Sequence, residues 1–221
     1  IPKERAEDVI YFNPADLERP MGLNMLEYSG EDEKQMVVQD ALSIMIRLFG
    51  AEIFGPRIQD YFRNGAITLM DYPEGGAITD IVRLFTDDNF QMARRQTVKD
   101  PAVRQWWQGV YSKQGDREKA EIIPYFQAKF GGFITNRMMR NIIGQTTSSF
   151  DVYEAMQSRK ILLINLSKGL LGDFNSNLLG LILVSKMQIA AMRRQSIAKE
   201  DRRDFFLYID EFQNFVTDSI E

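Results

Sequence analysis

The sequence lacks two chemically versatile residue types, because none of its 221 residues is cysteine or histidine. Disulfides, thiol chemistry, zinc sites and imidazole-based acid, base or triad mechanisms are therefore excluded. A long hydrophobic run is also missing, since Ser185, Lys186 and Gln188 interrupt the most apolar stretch, 178–192. That stretch cannot serve as a membrane span of about 20 apolar residues. Any chemistry must use carboxylates, amines, guanidinium groups, hydroxyls or the backbone.

The chain has no surplus of positive charge, with 27 basic against 31 acidic residues and a net charge of -4. Contact with nucleic acid must therefore come from a local patch. Its 44% hydrophobic and 26% charged residues are typical of a folded protein. The sequence opens Ile-Pro-Lys-Glu-Arg without an apolar leader, so we expect no signal peptide and interpret the chain as a piece of a longer protein.

The first 150 residues are predicted to be mostly helical. A β-branched and aromatic run predicts a short strand over 8–13. Apolar residues at helical spacing from Val37 to Phe49 predict a helix ending at Gly50. Similar patterns, punctuated by Gly and Pro, predict helices near 56–71, 77–86, 88–99, 101–114, 116–131 and 133–143. Pro124 is placed to bend or split one of them.

The pattern changes after Ser149. A short helix to about 157 is followed by a continuous apolar run over 160–166, which is typical of a strand buried on both faces. A long amphipathic helix from about 173 to 197 and a second apolar run over 204–209 come next. Strand, helix and strand predict a βαβ unit in a parallel sheet with helices on both faces.

The second apolar run ends in Asp210-Glu211, which is the pattern of a Walker B element. A strand of this kind places two carboxylates at the edge where open α/β sheets bind ligands. The aspartate can hold magnesium, usually through water, and the glutamate can deprotonate a water for attack on the γ-phosphate. The pair alone is weakly specific, because acidic residues also end many strands simply by returning the chain to solvent.

The Asp-Glu pair belongs to an ordered series of stretches, which is more specific than the pair alone: 11–14, 22–26, 148–151, 160–169, 175–180, 185–188 and 206–215. With this series the chain resembles the conjugative coupling-protein ATPases of the TraG/TraD type, in the HerA/FtsK group of P-loop motors. The resemblance covers nearly the whole chain and is densest from 142 to 219.

The resemblance implies a partial P-loop, RecA-like α/β fold with a large all-α insertion. Residues 1–30 and 151–221 are then parts of the nucleotide-binding domain, and 31–150 is the insertion. Asp210 maps onto the aspartate that coordinates magnesium, Glu211 maps onto the catalytic glutamate, and ATP and magnesium are the implied cofactors. The implied parent is a bacterial hexameric motor with a cytoplasmic domain tethered to the inner membrane. It passes single-stranded DNA, nucleoprotein or protein into a type IV secretion channel and contacts the components of that channel.

The chain departs from that family in one important respect. No Gly-x-x-x-x-Gly-Lys-Ser/Thr sequence occurs, so the backbone nest and lysine that cradle phosphates are missing. We therefore expect this chain alone neither to bind ATP tightly nor to hydrolyse it. Strands without neighbours invite pairing with another chain, so a dimer or swapped form of the chain is an expected alternative to the parent's hexamer.

Other residues have a functional and a structural interpretation. Lys168 can contact DNA or a phosphate, or simply return a strand to water. Gln213 can sense the bound nucleotide, or cap a helix. Arg193 and Arg194 can supply an arginine finger, or complement a helix C-terminus.

Within the helical block, Arg94, Arg95, Arg137 and Arg140 are candidates for a basic patch. Trp106-Trp107 can form a stacking surface. Adjacent tryptophans on a helix point about 100° apart, which predicts that one of the two belongs to the core.

Three classes of function follow. The first is a fragment of an ATP-driven motor that recognises and translocates DNA or protein. The second is a recognition module in which the all-α part binds a secreted substrate or an accessory protein without catalysis. In the third, the chain is purely structural and Asp210 and Glu211 only cap a helix.

Overall fold

Helices dominate the computed structural model, which describes residues 1–215. They make up 62% of it, so the fold is largely all-α. The chain divides into two compact units, each with its own contacts. Unit 1 comprises residues 1–21 together with the chain from 148 onward, and unit 2 comprises residues 22–147.

The predicted partial P-loop, RecA-like α/β fold with a large insertion is wrong. Within residues 1–215, β-structure is limited to two short parallel strands. The run 204–209 is not a strand, and none of its backbone groups bonds to another backbone group in the described chain. Phe206 and Tyr208 within it are 72% and 89% exposed. A strand needs a neighbour to accept and donate its backbone hydrogen bonds, and no described segment supplies one beside this run.

Unit 1 holds the two-stranded sheet. Strand β1 (Val9–Phe12) pairs in parallel with β2 (Ile161–Ile164), with Val9 opposite Ile161 and Phe12 opposite Ile164. Its helices are α8 (Val152–Gln157), α9 (Lys168–Leu171) and α10 (Asp173–Arg193). Short 3₁₀ segments cover Lys3–Asp8, Arg194–Ser196, Lys199–Asp201 and Phe212–Asn214. The predicted βαβ unit is therefore not formed, because α10 leads from β2 into an unpaired run.

Unit 2 contains the seven helices predicted between 33 and 143. They are α1 (Glu31–Phe49), α2 (Pro56–Met70), α3 (Asp80–Thr86), α4 (Asp88–Arg95), α5 (Pro101–Gly109), α6 (Asp116–Ile134) and α7 (Arg137–Ile143). A 3₁₀ turn, Tyr111–Lys113, follows α5. Helix α6 continues through Pro124 and the Gly131-Gly132 pair. It buries Phe126, Phe130 and Phe133, and this packing outweighs the cost of about 1 kcal/mol for each glycine.

The core of unit 2 is built from aromatic side chains. Tyr61 of α2 lies 5.0 Å from Phe85 and 5.4 Å from Trp106, measured between ring centroids. Both adjacent tryptophans are buried, although the sequence predicted only one in the core. The Trp106 indole donates to the Asp60 carboxylate at 2.5 Å, and the Trp107 indole donates to the Thr68 hydroxyl at 2.8 Å. The two rings are therefore not available for stacking with bases.

A buried ion pair between Lys34 and Asp71 links three parts of unit 2. The Lys34 ammonium donates to the Asp71 carboxylate at 2.6 Å and to the Glu31 carboxylate at 2.7 Å. The second Asp71 oxygen accepts the backbone N–H of Lys99 at 2.7 Å. Burial alone would lower the pKa of Lys34, but hydrogen bonds to the two carboxylates raise it above the usual value for lysine. The pair connects α1, the end of α2 and the segment before α5.

Among residues 1–215, no helix is both long and apolar enough to cross a bilayer. Helix α10 is the longest, and it contains Lys186 among its apolar residues.

Candidate functional site

The Asp210–Glu211 pair lies at a sharp turn after the unpaired run. Glu211 has φ 56° and ψ 38°, in the left-handed region. A non-glycine residue in that conformation costs about 1–2 kcal/mol, so surrounding contacts must hold it. The 3₁₀ segment 212–214 begins directly afterwards. The chain therefore reverses at the residue that the sequence marks as the candidate base.

The side chains that follow hold Glu211 in place. The Gln213 amide donates to a Glu211 carboxylate oxygen at 2.6 Å. The Glu211 carbonyl accepts from the backbone N–H of Asn214 at 2.9 Å and from its side-chain amide at 3.1 Å. The predicted sensor residue Gln213 thus contacts the candidate base directly.

Phe215 anchors the turn to α10. Its ring is buried and lies directly against Gly180, where an added Cβ would overlap ring carbons. Glycine is unfavourable inside a helix, so its presence here is explained by this close contact. Neither Gly180 nor Phe215 is singled out by the sequence motifs as part of a site. Two sequence features could have identified them. One is the glycine inside the predicted helix, Gly180, and the other is the second aromatic residue after the carboxylates, Phe215.

The turn lines a cavity of about 370 Å³ within unit 1. The polar residues of the lining are Ser167, Lys168, Ser176, Tyr208, Asp210 and Glu211. Apolar side chains of β2, α10 and the 204–209 run, among them Ile164, Leu183, Met187 and Ile209, form the remaining walls. The Ser176 hydroxyl donates to the Leu166 carbonyl at 2.8 Å and so fixes the segment after β2 to α10.

The charged side chains that line the cavity favour a bound cation. Asp210 and Glu211 are exposed there, and Lys168 brings a single positive charge. The Lys168 ammonium lies 3.7 Å from the Asp173 carboxylate at the start of α10, which draws part of its charge away from the cavity. The cavity lining therefore has a surplus of negative charge.

The donor set fits magnesium held mainly by water and phosphate, and it does not fit a metal held by protein alone. Among residues 1–215, no group of three or more acidic side chains is arranged to bind a metal ion. Magnesium keeps several waters and is often bound through one or two carboxylates together with substrate phosphates. Asp210, which lines the cavity, is the residue that can supply such a carboxylate.

Arg193 and Arg194, the candidate arginine fingers, do not line this cavity. The Arg193 guanidinium lies 4.2 Å from the centroid of the Tyr153 ring, and the Arg194 guanidinium donates to the Arg203 carbonyl. The structure thus brings together Lys168, Asp210, Glu211 and Gln213, and it places the two arginines elsewhere in unit 1.

The chain matches no model of a known protein family, no curated protein and no solved structure.

Proposed function

We propose that this chain is the part of an ATP-hydrolysing motor, related to the conjugative coupling proteins, that supplies the metal-holding and water-activating carboxylates. The observation that carries the proposal is that Asp210, Glu211 and Lys168 line one cavity although Lys168 is remote from the pair in sequence. The proposal concerns the chemistry of these residues and does not depend on a RecA-like sheet.

Glu211 is the base in this proposal. Its carboxylate is exposed at the cavity and one of its oxygens accepts from Gln213, which leaves the other oxygen to orient a water. Asp210 holds magnesium through water. When bound, magnesium neutralises charge on the phosphates during transfer. Lys168 lies near enough to the same cavity to approach a phosphate, or DNA, as the sequence suggests.

ATP binding requires a phosphate-binding loop that this sequence does not contain. In the proposal, that loop belongs to the longer protein, which assembles as a hexamer and is a bacterial motor tethered to the inner membrane. Its substrate is single-stranded DNA or nucleoprotein, delivered to a type IV secretion channel. These further assignments rest on the sequence resemblance alone.

The test is ATP turnover by the full-length protein with Glu211→Gln. We expect turnover to fall by a factor of about 100 or more while ATP binding is retained, because general-base catalysis contributes about 10²–10⁴-fold. Glu200→Gln, a similarly exposed residue that does not line the cavity, is the matched control and should turn over normally. Unchanged turnover in Glu211→Gln would overturn the proposal.

A recognition module without catalysis is the second candidate. Unit 2 supports it, because its helices form a separate compact unit with an aromatic core of their own. In that case substitutions on the surface of unit 2 abolish partner binding, and substitutions at Asp210 and Glu211 have no effect on it.

A further inference from the structure

A second depression lies on the surface of unit 2, between α4 and α5, and has a volume of about 660 Å³. Two arginines, Arg95 and Arg104, and three glutamines, Gln91, Gln96 and Gln108, line it. We name this depression the arginine cleft. It contains none of the residues of the Asp210–Glu211 site.

Uncharged acceptors orient both guanidinium groups in the arginine cleft. Arg95 lies 5.0 Å from the centroid of the Trp107 ring and makes long hydrogen bonds to the Gln91 amide oxygen, at 3.4 Å, and to the Ser112 hydroxyl, at 3.3 Å. The Nε of Arg104 donates to the Val98 carbonyl at 2.6 Å. Within residues 1–215, neither arginine forms an ion pair with a carboxylate.

This arrangement is unusual for an acidic chain. A protein with net charge -4 has carboxylates to pair with its arginines, yet within residues 1–215 neither of these two forms an ion pair, although Asp88 lines the same surface. Guanidinium groups bind carboxylates and phosphates in bidentate geometry, with hydrogen bonds roughly twice as strong as neutral ones. The amides of Gln96 and Gln108 add uncharged donors and acceptors beside them.

The residues that line the arginine cleft favour a protein carboxylate over a nucleic acid. Trp107 underlies it but is only 2% exposed, so no aromatic face is available to stack a base. Asp88 also lines the cleft and offsets one of its two positive charges, so the cleft suits a segment that presents a single carboxylate better than a chain of phosphates. Met92 at its edge is 61% exposed and offers an apolar contact.

We propose that the arginine cleft binds an acidic segment of a protein partner, with a Glu or Asp carboxylate received by Arg95 and Arg104 and an apolar neighbour against Met92. The charge complementarity of two unpaired guanidinium groups carries this inference. The inference rests on the second candidate function, recognition of a partner by unit 2, and it uses none of the unit 1 residues proposed for ATP hydrolysis.

Fluorescence anisotropy of the 221-residue chain with three labelled probes tests the inference. The probes are a short peptide with one Glu beside Leu residues, a peptide of equal length with Lys in place of that Glu, and an oligothymidine. We expect the acidic peptide to bind more tightly than the other two, with an affinity that falls as salt rises. Arg95→Gln with Arg104→Gln should lower that affinity by about tenfold or more, because hydrogen bonds to charged groups contribute about 1.5–3 kcal/mol.

Two further variants keep the result interpretable. Arg117→Gln with Arg137→Gln removes the same charge from exposed positions on α6 and α7, and it should leave the affinity unchanged. Gln108→Glu keeps both arginines but places a carboxylate in the cleft, and it should weaken binding of the acidic peptide. Thermal unfolding of each variant verifies that it is folded.

Three results would overturn the inference. They are absence of binding by the acidic peptide, equal loss in the control pair of arginine substitutions, and tighter binding of oligothymidine that depends on Arg95 and Arg104. The last result would identify a nucleic-acid site instead.

Discussion

Two stretches that contain several aromatic residues differ in how far those residues are buried. Phe126, Phe130 and Phe133 of α6 are buried in the core of unit 2, whereas Phe206 and Tyr208 of the 204–209 run are exposed. A helix satisfies its backbone hydrogen bonds internally and needs only a face to bury. A strand also needs neighbours for its backbone groups. The phenylalanines are therefore buried in α6, which needs no partner strand, whereas Phe206 and Tyr208 are exposed in the 204–209 run, which has no described partner.

Truncation of one aromatic residue in each stretch tests whether the two stretches differ in packing. Phe130→Ala should lower the free energy of unfolding by about 3–5 kcal/mol, because it leaves a cavity among packed rings. Phe206→Ala should change it by less than about 0.5 kcal/mol, as expected for an exposed position. Urea-induced unfolding measures both, and a similar loss in the two variants would show that the 204–209 run is packed.

The buried ion pair of unit 2 should have an effect of the same order. Lys34→Met leaves the Asp71 carboxylate buried without its charged partner, and we expect a loss of about 3–5 kcal/mol. Lys99→Met is the matched control, since Lys99 is exposed and its ammonium lies 3.8 Å from Glu31. That control should lose no more than about 1 kcal/mol. Equal stability of the two variants in urea would contradict the role assigned to Lys34.

A smaller effect is expected where Phe215 meets Gly180. Gly180→Ala introduces a Cβ into the Phe215 ring, and overpacking of this kind costs about 1–3 kcal/mol. In a Phe215→Ala background the same change should be neutral or stabilising by up to about 1 kcal/mol, because alanine favours helix. A double-mutant cycle measured by thermal unfolding gives the coupling, and additive effects would show that the contact is absent.

The smallest effect concerns alkaline pH. Burial raises the pKa of Tyr61 to about 12, whereas an unfolded tyrosine ionises near 10.0. The contribution of Tyr61 to stability is therefore complete below pH 10 and is lost as the pH rises towards 12. Tyr61→Phe removes the hydrogen bond to Gln114, at a cost of about 1 kcal/mol at neutral pH, and should flatten this alkaline decline. An unchanged decline would mean that other groups cause it.

The helices of unit 2 could be predicted from sequence because each carries its own signals. Apolar residues at 3,4 spacing marked α1, and Asp100-Pro101 marked the start of α5, where the Asp100 carboxylate accepts from the N–H groups of Ala102 and Val103. These signals are local, and the hydrogen bonds they predict form within a few residues.

The strands were predicted only in part, because those over 8–13 and 160–166 form as β1 and β2, whereas the one over 204–209 does not. Residues 160–166 and 204–209 look alike in sequence, yet only the first has a described neighbour, β1, to pair with. Strand formation depends on a partner that is remote in sequence, and no local pattern reports it. Asp210 and Glu211 could be predicted as a pair because they are adjacent in sequence. Gly180 and Phe215 could not, because their contact joins two positions that are remote in sequence.

Amide hydrogen exchange over the whole chain tests the contrast between the two stretches most directly. Residues 205–209 should exchange at rates close to those of an unprotected chain, because their N–H groups have no backbone partner within residues 1–215, while residues 126–134 of α6 should be strongly protected. Comparable protection of the two segments would contradict the account, because it would show that the 204–209 run is paired as a strand.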